Sequence, residues 1–541
     1  MGRPLFTRRS VVERPPSVVA DLSVQEGCRV LAEPAPWEET LRRTQLSALL
    51  TGLAVATGAL VAPAISTGPA EAAAKTPKVL VIGIDGLLFD KIAPANAPTL
   101  DTLIATGQSS KTVLYAPPFA PTLSGPGWAT LATGTWPDKH KVLSNSWGTS
   151  TNLSTYPDFL TRVEQAKPAL STFAAATWDP LVDNSAGQAI FSSAVDARVN
   201  GANDTDTTNQ TVARLRDVGP DASFVVLDDV DAAGHSCGAA GACYLTAIAA
   251  TDTRVKQFVD TIHARPTYAD EDWTIIVSAD HGHTDAGGHG GNTPPERASF
   301  IIRTGPGVAP GTPAIAPKNV DVAPTVLSLL GVPVPAALDG RVLGTAGTDP
   351  FDSLIGSLQT RVDETGIPTS VRGWTKTTPS GWTIDNTGMG TGGMTEWRGW
   401  SFTTDDFWTR TETGQGREGN VRARGVFAVA DSDEWSDKST SGTFNSSLTS
   451  PTVSVAGKST LKIGFSSHYR KEGNETATVS VSFDGGATRT VSTYTGDVTA
   501  KIESLSAAVP AGAQSVKVTW RLANGANNWY WAVDAPTFAT S

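Results

Sequence analysis

Sulfur and charge are both scarce in this sequence. Its 541 residues include three cysteines and three methionines, and charged residues make up 18%. Three thiols allow one intrachain bridge at most. The charge balance leans acidic, to a net −11, with no long basic run. That excludes the cationic surface through which proteins bind nucleic acid. A small phosphorylated substrate whose charge is met by bound cations stays open. No G-x-x-x-x-G-K-[ST] loop is present to cradle a nucleotide. GMGTGG (Gly388 to Gly393) matches G-x-G-x-x-G, but it lies in a tryptophan-rich stretch without a strand–helix–strand setting and is read as chance.

What is there suffices for two or three domains of roughly 100–200 residues each. Apolar residues make up 40%, and 52 glycines with 35 prolines signal many turns. Near the start, Arg42-Arg43 precede LSALLTGLAVATGALVAPAI (Leu46 to Ile65), followed by Ala70-Glu71-Ala72. The small-residue dilution and the A-x-A site predict a cleaved export signal, of the Sec or twin-arginine type. The alternative is a membrane anchor, since about 20 apolar residues can span a bilayer. Residues 1–74 are therefore expected to be leader and signal, and the mature protein to be secreted without a stable membrane span. Export favours disulfides. Cleavage removes Cys28 and leaves Cys237 and Cys243, six apart in HSCGAAGACY, a loop flexible enough to close. They are expected to form a bridge.

Three Val/Ile-rich runs read as buried strands that end in acidic residues: KVLVIGID (Lys78 to Asp85), SFVVLDD (Ser223 to Asp229) and DWTIIVSAD (Asp272 to Asp280). Helix-like segments lie between them, after Ala97, after Gly127 and from Tyr244, and DVAPTVLSLLG (Asp321 to Gly331) reads as a closing helix. The alternation predicts a layered α/β domain over residues 75–345 with a mostly parallel sheet, whose ligands gather beyond the carboxyl ends of the strands. Residues 346–374 read as a linker. Residues 375–541 alternate apolar with polar and carry DGG and NG turn signals, and nine of the 15 tryptophans lie from Trp374 onward. They predict an antiparallel β-sandwich.

Candidate chemistry gathers at the strand ends. Asp85 ends the first run, Asp231 and His235 form DAAGH after the second, and Asp280-His281 end the third in SADHGH. A glycine-rich loop then presents His289 in GGHGG, and five of the seven histidines fall between 235 and 289. A lone Asp after a strand is ordinarily a turn former. Recurrence at one sheet edge is different, because such groups repel or stay unpaired unless a cation joins them. Mixed Asp/His ligation suits Zn²⁺ or Mn²⁺ better than Ca²⁺ or Mg²⁺, and the ligand count suits two ions about 4 Å apart. Ser124, in PTLSGPGW, could then lose its proton to a neighbouring ion and needs no histidine base. Backbone N–H groups at the following helix start could help to hold an anion.

These stretches together resemble the alkaline phosphatase superfamily, with the nucleotide pyrophosphatase/phosphodiesterase-like branch as the nearest. The resemblance runs in order through IGIDG, TLSGPGW with ATGTWPDKHKV, DAAGH, SADHGH, GGHGG and DVAPTVLSLLG, over about residues 76–345. It implies one metal site of Asp85, Ser124, Asp280 and His281 and another of Asp231, His235 and His289. Ser124 would be the nucleophile of a phosphoric-ester hydrolase acting on phosphodiester or pyrophosphate bonds, nucleotides among them, through a phospho-serine intermediate. Phosphomonoesters are the alternative substrate. The pattern gives His283 no ligand role, which leaves it a supporting one, and His140 reads as a helix cap. Gly127 offers no side chain to a phosphate oxygen, so Asn145 in LSNSW is the candidate substrate-binding residue. A sulfatase would need an arginine within C/S-x-P-x-R, which Ser124-Gly-Pro126-Gly-Trp128 lacks.

The carboxy-terminal part resembles the jelly-roll and carbohydrate-binding sandwiches appended to secreted hydrolases. Polysaccharide or cell-surface contact is the expectation that follows, with most of its tryptophans expected in the core. Asp431, Asp433 and Asp534 are candidates for a structural Ca²⁺, or else ordinary turn acids. An alternative of another class is a surface-binding protein with an inactive α/β domain; the intact ligand set argues against it.

Overall fold

The computed structural model describes residues 74–541, apart from Ala186 and Ala346. The expected export signal and Cys28 lie outside the described residues. Among these residues no helix is long and apolar enough to cross a membrane.

A seven-stranded sheet organises the first half. Its strands are β1 (Thr76–Ile84), β2 (Gln108–Val113), β3 (Thr172–Ala176), β4 (Ala197–Asn200), β5 (Ala222–Leu227), β6 (Glu271–Ser278) and β7 (Ala298–Thr304). They lie in the order β2-β7-β6-β1-β5-β3-β4. The five strands from β6 to β4 are parallel, and β7 and β2 continue the edge antiparallel. The helices are α1 (Pro98–Thr106), α2 (Ser124–Thr133), α3 (Pro137–His140), α4 (Phe159–Ala166), α5 (Asp204–Asp217), α6 (Asp229–Cys237), α7 (Ala242–His263), α8 (Pro294–Arg297) and α9 (Val322–Leu329). They cover both faces. Val79 and Val81 of β1 pack with α2, α4 and α9, while Leu80, Ile82 and Ile84 pack with α1 and α7. Burial on both faces is why β1 reads as an unbroken apolar run.

The second half forms two antiparallel sheets, one of seven and one of six strands, and has the expected sandwich character. Eight of its nine tryptophans lie in the core between them. The ninth, Trp529, is half-buried with the Arg470 guanidinium 3.4 Å above its ring, so no bare aromatic platform is offered to a sugar. Of the expected linker 346–374, residues 347–374 are themselves folded. Phe351, Leu354, Leu358 and Ile367 enter this same core, and residues 359–360 and 372–375 add strands to the larger sheet. Apolar spacing of three and four places Phe351, Leu354 and Leu358 on one side of a short helical segment.

The two halves share buried contacts. Tyr115, Ala120, Trp136 and Val320 of the first cluster with Val421 and Ala500 of the second. Arg297 bonds Leu114 O, Thr409 and Asp405; Arg424 grips Asp321 with two bonds of 2.7 and 2.6 Å; Arg422 reaches Asp138 and Asp339.

Candidate active site

β1 lies beside β6, with Gly83 opposite Ser278, so their carboxyl ends deliver Asp85 and Asp280 to one place. Ser124 opens α2, which presses unusually close to both strand ends. A Cβ on Gly83 would lie 2.4 Å from the Trp128 ring, and one on Gly127 would lie 2.6 Å from Asp280 O. Only hydrogens fit there. The approach lets Trp128 Nε1–H donate to Asp85 Oδ2 at 3.0 Å, while Gly86 N–H donates to Asp280 Oδ1 at 3.2 Å.

The other two oxygens, Asp85 Oδ1 and Asp280 Oδ2, are buried and have no hydrogen-bond partner. Both face His281 Nε2, at 3.4 and 3.2 Å, and Ser124 Oγ lies 3.3 Å from the same nitrogen. His281 Nδ1 sits 3.1 Å from Gly282 O. If the proton is on Nδ1 and donates there, Nε2 keeps its lone pair. A Ser–His pair working as nucleophile and base would set its carboxylate behind the ring, on the other nitrogen. Here two carboxylates and the hydroxyl all converge on one nitrogen, as donors around a cation do. A buried acceptor without a partner costs about 1–3 kcal/mol or more, and a cation removes that cost at both oxygens. The residues fit a metal ion.

The second group is Asp231, His235, His283 and His289, whose ligand atoms lie within 4.8 Å of one another. Asp231 and His235 stand one turn apart on α6, with Asp231 Oδ2 3.3 Å from His235 Nε2. His289 Nδ1 lies 2.8 Å from Thr122 O and Gly290 N–H donates to Thr122 Oγ1, so the segment leading into Ser124 holds the glycine-rich loop. His289 Nε2 then points at His235 Nε2, 3.1 Å away, and at Asp231. Two imidazole nitrogens facing each other cannot both carry protons; a cation between them resolves the contact. Asp85 links the groups, lying with Asp228 and Asp231 in a third acidic set.

Electrostatics tell the same story. Burial, then Asp280 and Asp231, hold the Asp85 carboxyl well above its usual range, and burial followed by Asp231 does the same to Asp280. Burial pushes His281 and His289 down, toward the neutral imidazole that a metal requires. Burial acts to raise Asp231 too, but the hydrogen bond with His283 and the surrounding imidazoles outweigh it and hold Asp231 at about 2. Asp228 is pushed up to about 7, by burial and then by Asp231.

The structure thus brings together Asp85, Ser124, Asp280 and His281, and Asp231, His235 and His289. Sequence reasoning passed over two residues, Thr122 and Asp228, and read His283 only as a supporting one. His283 is fully buried, 2.5 Å from Asp231 Oδ1, and its ring lies over Gly86 and Gly234; its place inside the SADHGH motif was the available signal. Thr122 and Asp228 carried none. Asn145 Oδ1 accepts from Gly125 N–H at 2.8 Å, next to Ser124 in the chain. That bond uses the Gly125 donor and Pro126 has none, so the helix start offers an anion less than expected. His140 is buried, bonded to Thr130 and Val142 N, with burial lowering its pKa to about 3. Cys237 and Cys243 are joined in a disulfide.

The calcium candidates do not form one site. Asp431 pairs with Tyr530 across the sheet and Ala428 with Val533, which sets Asp534 four residues along the strand, about 13 Å away. Asp431 and Asp433 instead pair with the buried Arg417, whereas Asp534 accepts from Arg424 N–H.

Residues 79–294 match the family model of type I phosphodiesterase / nucleotide pyrophosphatase. A 2,3-bisphosphoglycerate-independent phosphoglycerate mutase of Haloquadratum walsbyi is 30% identical over 143 residues, which are 26% of this chain and 27% of the mutase. The chain therefore spans about a quarter of that relative. Among solved structures, murine ectonucleotide pyrophosphatase/phosphodiesterase 5 in complex with AMP is similar at 13% identity, with a TM-score of 0.39 over 48% of this chain and 96% of that one. An alkaline phosphatase superfamily protein from Vibrio parahaemolyticus is similar at 18% identity, with a TM-score of 0.35 over 51% and 72%.

Proposed function

We propose that this type I phosphodiesterase / nucleotide pyrophosphatase domain hydrolyses phosphodiester or pyrophosphate bonds at two divalent cations, with Ser124 as the nucleophile. The observation that carries the reading is the convergence of Ser124 Oγ, His281 Nε2 and the partnerless Asp85 Oδ1 and Asp280 Oδ2. Asp85, Asp280, His281 and Ser124 would hold one ion, and Asp231, His235 and His289 the other; this donor set suits Zn²⁺ or Mn²⁺. The bound ions would supply Lewis acidity, favouring the serine alkoxide and offsetting phosphate charge.

Ser124 Oγ forms a bond to phosphorus as the bond to the leaving oxygen breaks, and water then cleaves the seryl ester. Asn145, held by its bond to Gly125 N–H, would donate its Nδ2 to a non-bridging oxygen. Trp128 and Gly86 hold the two carboxylates still while charge develops. The His235 side chain is half exposed, so the site is open where a diester's second substituent would lie. That favours diesters over monoesters. Secretion, with residues 1–74 removed, completes the reading, and the bridged Cys237 and Cys243 support it.

Turnover of bis-p-nitrophenyl phosphate, p-nitrophenyl-TMP and p-nitrophenyl phosphate, with and without chelator, tests it. Metal-dependent cleavage of the diesters is expected. Chelator-resistant activity overturns the cation mechanism, preference for the monoester overturns the diester reading, and no turnover favours a binding protein. Ser124→Ala should keep the fold and most of the metal while losing nearly all turnover; wild-type kcat in that variant removes Ser124 as the nucleophile.

A further inference from the structure

We infer that the Cys237–Cys243 disulfide is a positioning element for the second cation site, holding His235 and the His283–His289 loop in ligating geometry. The inference rests on the two-cation reading above. It starts from a weakness in α6, which carries both Asp231 and His235. The helix has nine residues, and Val230 is its only large apolar side chain in the core. Helices this short are marginal alone and depend on packing. Its carboxy-terminal end, where His235, Ser236 and Cys237 are exposed, has no core beneath it.

The bridge supplies what packing does not. Cys237 is the last residue of α6, two beyond His235, and Cys243 is the second residue of α7. α7 is 22 residues long and sits in the core through Tyr244, Ile248, Val255, Phe258 and Ile262. Tyr244, next to Cys243, donates its hydroxyl to Gly86 O at 2.6 Å and accepts from Leu88 N–H. The disulfide therefore ties the loose end of α6 to a point already fixed against the loop that follows Asp85.

The loop closed by the bridge has a second attachment. Ala239 N–H donates to Thr284 O and Ala240 N–H to Asp285 O, at 3.2 and 3.3 Å. Those acceptors lie between His283 and His289. One seven-residue ring thus restrains both chain segments that bring histidines to the second group. The ring itself bonds neither Asp280 nor His281, which are held by the sheet and by α2, although the His289 ring stacks on His281 at 3.7 Å. Loss of the bridge should act on one ion and spare the other.

The test uses the full mature chain and its Cys237→Ser/Cys243→Ser variant. Zn²⁺ stoichiometry and stepwise dissociation constants are measured by competition with a chromophoric chelator. Val255→Ala, a core change in α7 away from both groups, serves as a control for general destabilisation. The double variant should bind the weaker-held second ion at least about 10-fold less tightly, the scale seen when groups that orient metal ligands are lost. The first ion should stay within about twofold, and Val255→Ala should leave both unchanged while lowering Tm. Unaltered second-ion affinity in the double variant overturns the inference. So does equal weakening of both ions, or the same pattern in Val255→Ala. Wild-type protein binding fewer than two ions instead overturns the two-cation reading itself.

Discussion

Each half of the molecule buries a cluster of acids, and the two clusters are resolved in opposite ways. In the sandwich, Asp431, Asp433 and Glu434 surround Arg417, which is fully buried, bonded to all three at 3.2, 3.3 and 2.7 Å, and stacked near Trp408 and Tyr530. The excess acidity is absorbed by proton uptake: burial pushes Glu434 up to about 9. In the α/β half, the ion-pair partners of Asp85, Asp280 and Asp231 among the described residues are histidines, two of which burial holds toward neutrality, and two carboxylate oxygens have no hydrogen-bond partner. Acidic clusters look alike in a sequence. What separates a structural cluster from a metal site is whether the fold itself supplies the countercharge.

The comparison breaks most visibly if an acid is neutralised in the α/β half. Asp280→Asn should abolish binding of the first ion and lower kcat/KM by about 4 kcal/mol, roughly a thousandfold. In chelator, however, its Tm should equal or exceed wild type, because a buried charge without a partner is removed. A variant less stable than wild type in chelator would show that Asp280 is already balanced by the chain. In the sandwich the matching experiment removes the cation. Arg417→Met should cost about 3–5 kcal/mol of stability, since it strands buried carboxylates, and denaturant titration measures it. A loss below about 1 kcal/mol would mean that Arg417 is not the countercharge.

How much was legible follows from the same physics. Strands such as KVLVIGID are buried on both faces and announce themselves as apolar runs. The acids and histidines near their ends recur in order, and the family resemblance carried by these stretches implied the seven proposed ligands. The start of α2 was misjudged. GPG reads as a turn, yet it forms the first helical turn, where proline's missing N–H bonds nothing and costs little. His283 could be read as a supporting residue, but what it supports could not, because its partner Asp231 is 52 residues away. The calcium candidates failed because Arg417, which neutralises two of them, stands 14 and 16 residues from Asp431 and Asp433 with no local sign of pairing.

His283 itself tests a finer point, since it holds Asp231 rather than an ion. His283→Gln should weaken the second ion about 10-fold, with the first unchanged. An affinity unchanged in that variant would reduce His283 to core filling between Gly86 and Gly234.

The smallest effect lies in the sandwich and concerns sign. Burial pushes the folded Glu434 carboxyl up to about 9, against the usual 4.5, so the folded state holds a proton that the unfolded chain has released. Stability from this group is complete below about pH 4.5 and declines as pH rises toward 9, because the folded form binds more protons across that window. Asp231, held at about 2 against 3.8, works the other way in metal-free protein. Its contribution is present above about pH 4 and is lost as pH falls toward 2. Glu434→Gln keeps the shape and removes the titration, so its Tm should fall less than that of wild type between pH 6 and 9. Parallel Tm curves for the two proteins would mean that Arg417 already holds Glu434 ionised, and the sandwich cluster would then be balanced by charge alone.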